Sequence, residues 1–195
     1  GKKRFKEALK SHDVSYILSE GVKQKDKGVH ILDVNVGLPE IDETEMLVTC
    51  VNELQAIIDL PLQIDTSDAC AMEAALRRYN GKAMINSVNG KQENMAAVFP
   101  LVKKYGGVVV ALTLDENGIP ATAEGRFAIA QKILRTAATY GIDKKDINIE
   151  CEDGYLTITA VKEENNEEND KNYSRKERFY GKIQRRFYVG DIDVD

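Results

Sequence analysis

The chain has 195 residues, 43% of them hydrophobic and 30% charged, which is ordinary for a globular protein with a sizeable core. Its formal net charge of -5 and pI near 5.3 argue against a general nucleic-acid binder, which needs a basic face to displace counterions. No apolar run approaches the roughly 20 residues of a membrane span, and no apolar segment follows the lysine-rich start to make a signal peptide. We therefore expect a cytoplasmic protein whose partners include neither nucleic acid nor a membrane.

Helical and strand patterns alternate along the first 140 residues. Helix-period patterns predict helices at 4–10, 14–27, 40–60, 68–79, 93–105 and 121–140. Short apolar or β-branched runs predict strands at 29–37, 62–64, 83–85 and 108–118. Strand followed by helix, four times over with short connections, predicts an α/β fold with a parallel sheet and helices outside it. Either a (β/α)₈ barrel or an open doubly wound sheet fits this pattern.

Polar residues stand at the carboxyl end of each predicted strand. In order along the chain they are Asp33 and Asn35, Asp65, Asn86, then Thr113 and Asp115. Ligands bind at this edge of a parallel sheet, so these residues are candidates for a binding site. Because side chains alternate along a strand, Gln63 should share a face with Asp65, and Met84 with Asn86. The alternative is that Asp65 only leads into a turn while Asp68 caps the next helix.

Histidines and cysteines predict neither a metal site nor a disulfide framework. His12 and His30 are too few and too scattered for ligation. Cys50, Cys70 and Cys151 form no CxxC pair, and an odd count suits a reducing compartment. We interpret all three cysteines as small core residues, the first two in helices and the third in a strand.

Four segments carry a family resemblance. They are DVNVG at 33–37, PLQIDTSD at 61–68, INSVNGK at 85–91 and YGGVVVALTLDENGIPATAEGR at 105–126. In this order they resemble the pterin-binding module of cobalamin-dependent methionine synthases and related methyltetrahydrofolate methyltransferases. The resemblance covers residues 1–146 and implies a partial (β/α)₈ barrel that binds a reduced folate at its carboxyl-end mouth.

The same resemblance implies roles for individual residues. Asp65 matches the aspartate that accepts hydrogen bonds from the pterin amino group and ring nitrogen, and Asn86 matches an asparagine in contact with the ring. Asp33 and Asn35 match the polar end of a neighbouring strand and line the same mouth. The implied ligand is methyltetrahydrofolate, with no covalently bound cofactor, and cobalamin would enter only through a separate partner. No catalytic residue or metal ligand is assigned.

The C-terminal part resembles a different family. The segments at 146–164 and 172–195 are similar to the middle of the α-crystallin domain of small heat-shock proteins, an antiparallel β-sandwich that dimerises by exchanging a strand. We predict strands at 154–161 and 177–189, separated by a solvated acidic loop at 162–171. The expected organisation is a partial pterin-binding barrel at 1–146 and an α-crystallin-like β segment at 147–195.

Two partial resemblances in one chain predict a chimera, natural or constructed. Relative to the first family, we expect the first barrel strand and the last strands to be missing. The leading interpretation is a folate-binding fragment without full catalytic activity that forms a homodimer through open sheet edges. The alternatives are a self-associating, chaperone-like segment on an inert scaffold, and a chimera selected only for folding.

Overall fold

The computed structural model describes residues 3–143 and the backbone of residues 148–152, 155–170 and 173–188. The helices are α1 Lys3–Lys10, α2 Val14–Asp26, α3 Glu43–Ile57, α4 Ala69–Leu76, α5 Gln92–Tyr105 and α6 Ala123–Thr139. The strands are β1 Leu32–Val34, β2 Leu62–Asp65, β3 Met84–Asn89, β4 Val108–Leu112, β5 Asn148–Glu152, β6 Tyr155–Asp170 and β7 Tyr173–Tyr188.

Strands β1 to β4 form a four-stranded parallel sheet in sequential order. Each pair of neighbours is joined by a helix, as parallel pairing requires, because the chain must return to the starting edge before the next strand. This confirms the predicted α/β class and its likeness to part of a (β/α)₈ barrel. Among the described residues, no helix is both long and apolar enough to cross a bilayer.

The core lies between one face of this sheet and the helices. Strand residues Leu32, Ile64 and Ile85 belong to the same buried cluster as Met46 and Phe99 of helices α3 and α5. Helix α2 approaches closely at Gly21, where a Cβ atom would lie 2.8 Å from Cδ2 of Leu54 on α3. Because side chains alternate along a strand, residues on the other face of the sheet are directed away from these helices.

Side-chain caps set several helix boundaries more tightly than periodicity predicted. The predicted helix at 40–60 begins only at Glu43, because the Asp42 carboxylate accepts a hydrogen bond from the Glu45 N–H at 2.9 Å. Asp68 caps α4 through the N–H groups of Cys70 and Ala71, as one alternative for this stretch predicted. That helix ends at Leu76 rather than at residue 79, with Arg77 as its C-cap.

The strands also differ from the predicted ranges. The runs at 29–37 and 108–118 contribute only Leu32–Val34 and Val108–Leu112, and most of their other residues have irregular backbone. Asp115 and Gly118 close a tight turn after β4. Strand β3 is longer than predicted and continues past Asn86 with an irregularity in its pairing to β4.

The C-terminal strands form a separate three-stranded antiparallel sheet in the order β5-β6-β7. The predicted loop at 162–171 is wrong, since β6 runs through to Asp170 and pairs with β7 along its length. Backbone pairing satisfies N–H and C=O groups whatever the side chains are, so a polar run can extend a strand when an equally long partner faces it. An antiparallel arrangement of this segment agrees with the expected fold class.

Candidate functional site

The polar face of the parallel sheet brings together the residues predicted from the strand ends. Strand register pairs Asp33 with Gln63 and Asp65 with Asn86. Asp65 therefore sits between β1 and Asn86 on β3, at the carboxyl edge of the sheet. The structure thus assembles Asn35, Asp65 and Asn86 at one edge, with Asp33 and Gln63 one layer deeper.

Asn35 is bonded directly to Asp65. Its Nδ2 donates to Oδ2 of Asp65 at 2.9 Å. Its Oδ1 accepts from the backbone N–H of Gly37 at 3.1 Å, which fixes which end of the amide faces the carboxylate. Oδ1 of Asp65 forms no hydrogen bond with the described residues and is available to a ligand.

Asn86 contributes both backbone and side chain to this edge. Its carbonyl oxygen accepts from the N–H of Thr66 at 3.2 Å, linking β3 to the residue that follows Asp65. The side-chain amide is half-buried and makes no hydrogen bond to a described residue. An amide in this state can serve a ligand as donor or acceptor.

Asp33 and Gln63 form the deeper layer. Nε2 of Gln63 donates to Oδ1 of Asp33. Gln63 is 0% exposed, and its Oε1 has no hydrogen-bond partner among the described residues. A buried acceptor without a donor carries a desolvation cost of about 1–3 kcal/mol. The buried Gln63 side chain therefore lowers the stability of the folded chain. Sequence reasoning placed Gln63 on the correct face and gave it no role.

Sequence reasoning missed Thr66 and Glu43. The hydroxyl of Thr66 donates to Oε1 of Glu43 and accepts from the N–H of Asp68 at 3.1 Å. Thr66 is 5% exposed, which is unusual for a threonine outside a strand. The only sequence signal was its position directly after Asp65. The hydrogen bond between Thr66 and Glu43 joins the start of α3 to the turn after β2.

A family model described as "Pterin binding enzyme" matches residues 1–171. The chain belongs to the pterin-binding enzyme family. The match extends past residue 146, where the sequence predicted the barrel-derived part to end. The resemblance of the C-terminal segment to small heat-shock proteins, and the chimeric origin inferred from it, stay predictions.

Characterised relatives of this pterin-binding chain are larger proteins. It is 29% identical over 182 residues to methionine synthases of Mycobacterium leprae and Mycobacterium tuberculosis, covering 84% of the chain and 15% of each relative. It is 28% identical over 148 residues to a methylcorrinoid:tetrahydrofolate methyltransferase of Eubacterium limosum, covering 74% of the chain and 54% of that protein. The chain thus spans about half, or much less, of the length of these relatives.

Away from the edge that carries Asp65 and Asn86, the loops after β3 and β4 are joined by hydrogen bonds. The N–H of Gly90 donates to the carbonyl of Leu114 at 2.7 Å, and Nζ of Lys132 donates to the carbonyl of Gly90 at 2.6 Å. Glu116 accepts from the N–H of Gln92 at 2.8 Å, and that hydrogen bond lowers the pKa of Glu116. The predicted mouth residue Asp115 closes its own turn by accepting from the N–H of Asn117 at 2.8 Å.

A cluster of charged side chains around Glu73 lies away from this edge. Glu73 on α4 accepts hydrogen bonds from Lys104, Arg77 and Tyr105, which together lower the pKa of its carboxyl to about 2. Two of these donors lie on or at the end of α5, so the cluster joins neighbouring helices and is structural.

Neither described cysteine belongs to the site. Cys50 is buried, and desolvation raises the pKa of its thiol to about 11. The prediction that Cys70 is a core residue is wrong, because the first turn of α4 leaves it exposed. Within residues 3–143, no group of three or more His, Cys, Asp or Glu side chains is arranged to hold a metal ion.

Proposed function

We propose that the chain binds a reduced folate, methyltetrahydrofolate, through its pterin ring at the carboxyl edge of the parallel sheet. The observation that carries this proposal is the register pairing of Asp65 with Asn86, each with hydrogen-bonding atoms that the described residues leave unused. Membership of the pterin-binding enzyme family supports the class of ligand.

The chemistry of the two side chains suits a pterin. A pterin edge presents two adjacent N–H donors, and a carboxylate can accept both in a bidentate way. Asp65 accepts from Asn35 at one oxygen, which leaves acceptor sites for both ligand donors because two carboxylate oxygens offer about four. Asn86 would contact the ring beside it, while Asp33 and Asn35 line the mouth.

The proposed role in a larger reaction is to present the folate. The name of the Eubacterium limosum relative joins tetrahydrofolate to a methylcorrinoid, and methyl transfer between two bound groups depends chiefly on positioning. We propose that cobalamin reaches this chain through a separate partner. The chain alone would then bind methyltetrahydrofolate without turning it over.

Calorimetric titration with methyltetrahydrofolate tests the binding proposal, and the absence of tryptophan makes calorimetry preferable to intrinsic fluorescence. Asp65→Ala should weaken binding by about 1.5–3 kcal/mol, the range for a hydrogen bond to a charged group. This corresponds to roughly 10- to 150-fold in the dissociation constant. Asn52→Ala, an exposed change on α3, is the matched control and should bind normally. Unchanged affinity in Asp65→Ala would refute the assignment.

The absence of turnover is tested separately. The purified chain is incubated with methyltetrahydrofolate and free reduced cobalamin, and methylcobalamin is followed by its absorbance. We expect no rate above that of the uncatalysed mixture. A rate that rises in proportion to the protein concentration would show that the chain is a complete catalyst.

The second candidate is a self-associating, chaperone-like function of the C-terminal segment. The observation that favours it is the hairpin of β6 and β7, whose backbones pair over 16 positions. Suppression of client aggregation that persists in Asp65→Ala would support this function independently of folate. A chain that shows neither activity would favour a chimera selected only for folding.

Open edges of the parallel sheet support self-association. Within residues 3–143, β1 and β4 each pair with a strand on one side only. Unpaired N–H and C=O groups on an edge strand are a template for pairing with another chain. We therefore propose a homodimer in which these edges are covered.

A further inference from the structure

Asp65 is contacted from one side by the segment that leads from β1 into α3. The first contact is the Asn35 amide, whose orientation is fixed because its Oδ1 already accepts from the N–H of Gly37. Because this hydrogen bond holds the amide oxygen, the Nδ2–H group of Asn35 stays directed at Asp65. A half-buried carboxylate without such a partner would sample several rotamers.

The second contact fixes the backbone next to Asp65. Thr66 donates to Glu43 in the first turn of α3 and accepts from the N–H of Asp68. Its own N–H donates to the carbonyl of Asn86. Three hydrogen bonds in three directions thus hold the residue that follows Asp65, and one of them reaches the strand that carries Asn86.

We propose that Asn35, although it lines the mouth, acts together with the Glu43–Thr66 pair as a positioning residue: these residues hold Asp65 in its pterin-accepting orientation and affect affinity through Asp65. This inference rests on the proposed function of Asp65. Ordering a side chain in advance removes an entropic cost that binding would otherwise have to meet, so each positioning contact contributes to affinity through Asp65 alone.

A double-mutant cycle separates this role from direct contact and from a general structural effect. Asn35→Ala is measured in the wild-type chain and in Asp65→Ala, with methyltetrahydrofolate as the ligand in calorimetry. We expect about tenfold weaker binding in the wild-type background, equivalent to ~1.4 kcal/mol. In Asp65→Ala the same change should alter affinity by less than about twofold. Equal losses in both backgrounds would overturn the inference.

Glu43 offers a second test through a conservative variant. Glu43→Gln retains a side-chain oxygen that accepts from Thr66, whereas Glu43→Leu removes it. We expect Glu43→Gln to bind like the wild type and Glu43→Leu to bind several-fold more weakly, again only when Asp65 is present. Glu53→Leu, exposed on the same helix, is the matched control. Equal loss in the Gln and Leu variants would rule out Glu43 as a hydrogen-bonding brace.

The outcomes distinguish this inference from the proposal beneath it. If the wild-type chain does not bind methyltetrahydrofolate, the proposed function is refuted and the inference falls with it. If the wild type binds and Asp65→Ala weakens binding, but the Asn35 effect is additive, only the inference is overturned. Circular dichroism of each variant excludes loss of binding through unfolding.

Discussion

Replacing Gly90 with alanine should destabilise the fold at the junction of the β3 and β4 loops. A Cβ atom on Gly90 would lie 2.6 Å from Cγ2 of Ile129 and 2.9 Å from the carbonyl oxygen of Leu114. The second of these atoms is backbone and accepts the Gly90 N–H at 2.7 Å. The chain at Gly90 therefore cannot retreat without breaking that bond, and Ile129 is a buried core residue that has little room to move.

The magnitude follows from three contributions. Overpacking a close-packed site costs about 1–3 kcal/mol. Weakening the bond to Leu114 adds about 1 kcal/mol. Alanine also lowers the conformational entropy of the unfolded chain, which offsets about 0.4–1 kcal/mol of the loss in stability. The expected loss in the free energy of unfolding is therefore about 1–3.5 kcal/mol.

Urea unfolding followed by far-ultraviolet circular dichroism measures this loss. Gly37→Ala is the matched control, because the nearest atom to its new Cβ is 3.6 Å away, which is ordinary contact. We expect Gly37→Ala to be neutral or to stabilise by up to about 1 kcal/mol through the unfolded state. If Gly90→Ala is as stable as Gly37→Ala, the close approach of these loops does not exist in solution.

Two further predictions concern pH and assembly. Because the folded-state pKa of Glu73 is lowered from its ordinary value of 4.5 to about 2, its contribution to stability is fully present above pH 4.5 and is lost as the pH falls toward 2. Glu73→Gln should flatten the dependence of the urea midpoint on pH within this window, and identical pH curves for both proteins would contradict the ion-pair cluster. The whole chain should be a homodimer by light scattering. A chain ending at Ile142 should aggregate, because we propose that the C-terminal strands cover an open edge of the parallel sheet in the dimer and the truncation would remove that cover. A monomeric whole chain together with a soluble, folded truncation would show that the C-terminal segment protects no edge.

Local sequence patterns were sufficient for the order of elements and for the faces of the strands. Side chains alternate along any strand, so the position of Asp65 relative to Gln63 followed without knowledge of the fold. Parallel strands joined by helices bring their carboxyl ends to one edge, so Asp65 and Asn86 could be predicted as neighbours. Their register pairing confirms this part of the prediction.

Local patterns were less informative about boundaries and exposure. The cap at Asp42 shortens α3, although helical periodicity predicted a start at Glu40. Cys70 is exposed in the first turn of α4, although the cysteines were interpreted as small core residues. The acidic run before residue 170 was predicted as a loop because of its charge, but its backbone pairs with β7. In each case a specific partner outweighed the average preference of the residue type.

The sequence by itself determined the α/β alternation, the family and the edge at which the polar residues collect. Tertiary structure alone decided that Asn35 bonds to Asp65, thirty residues away, and that Glu43 meets Thr66. Such contacts depend on strand order, register and the angle at which α3 leaves its loop. No local pattern encodes these quantities, because they follow from packing the whole sheet against its helices.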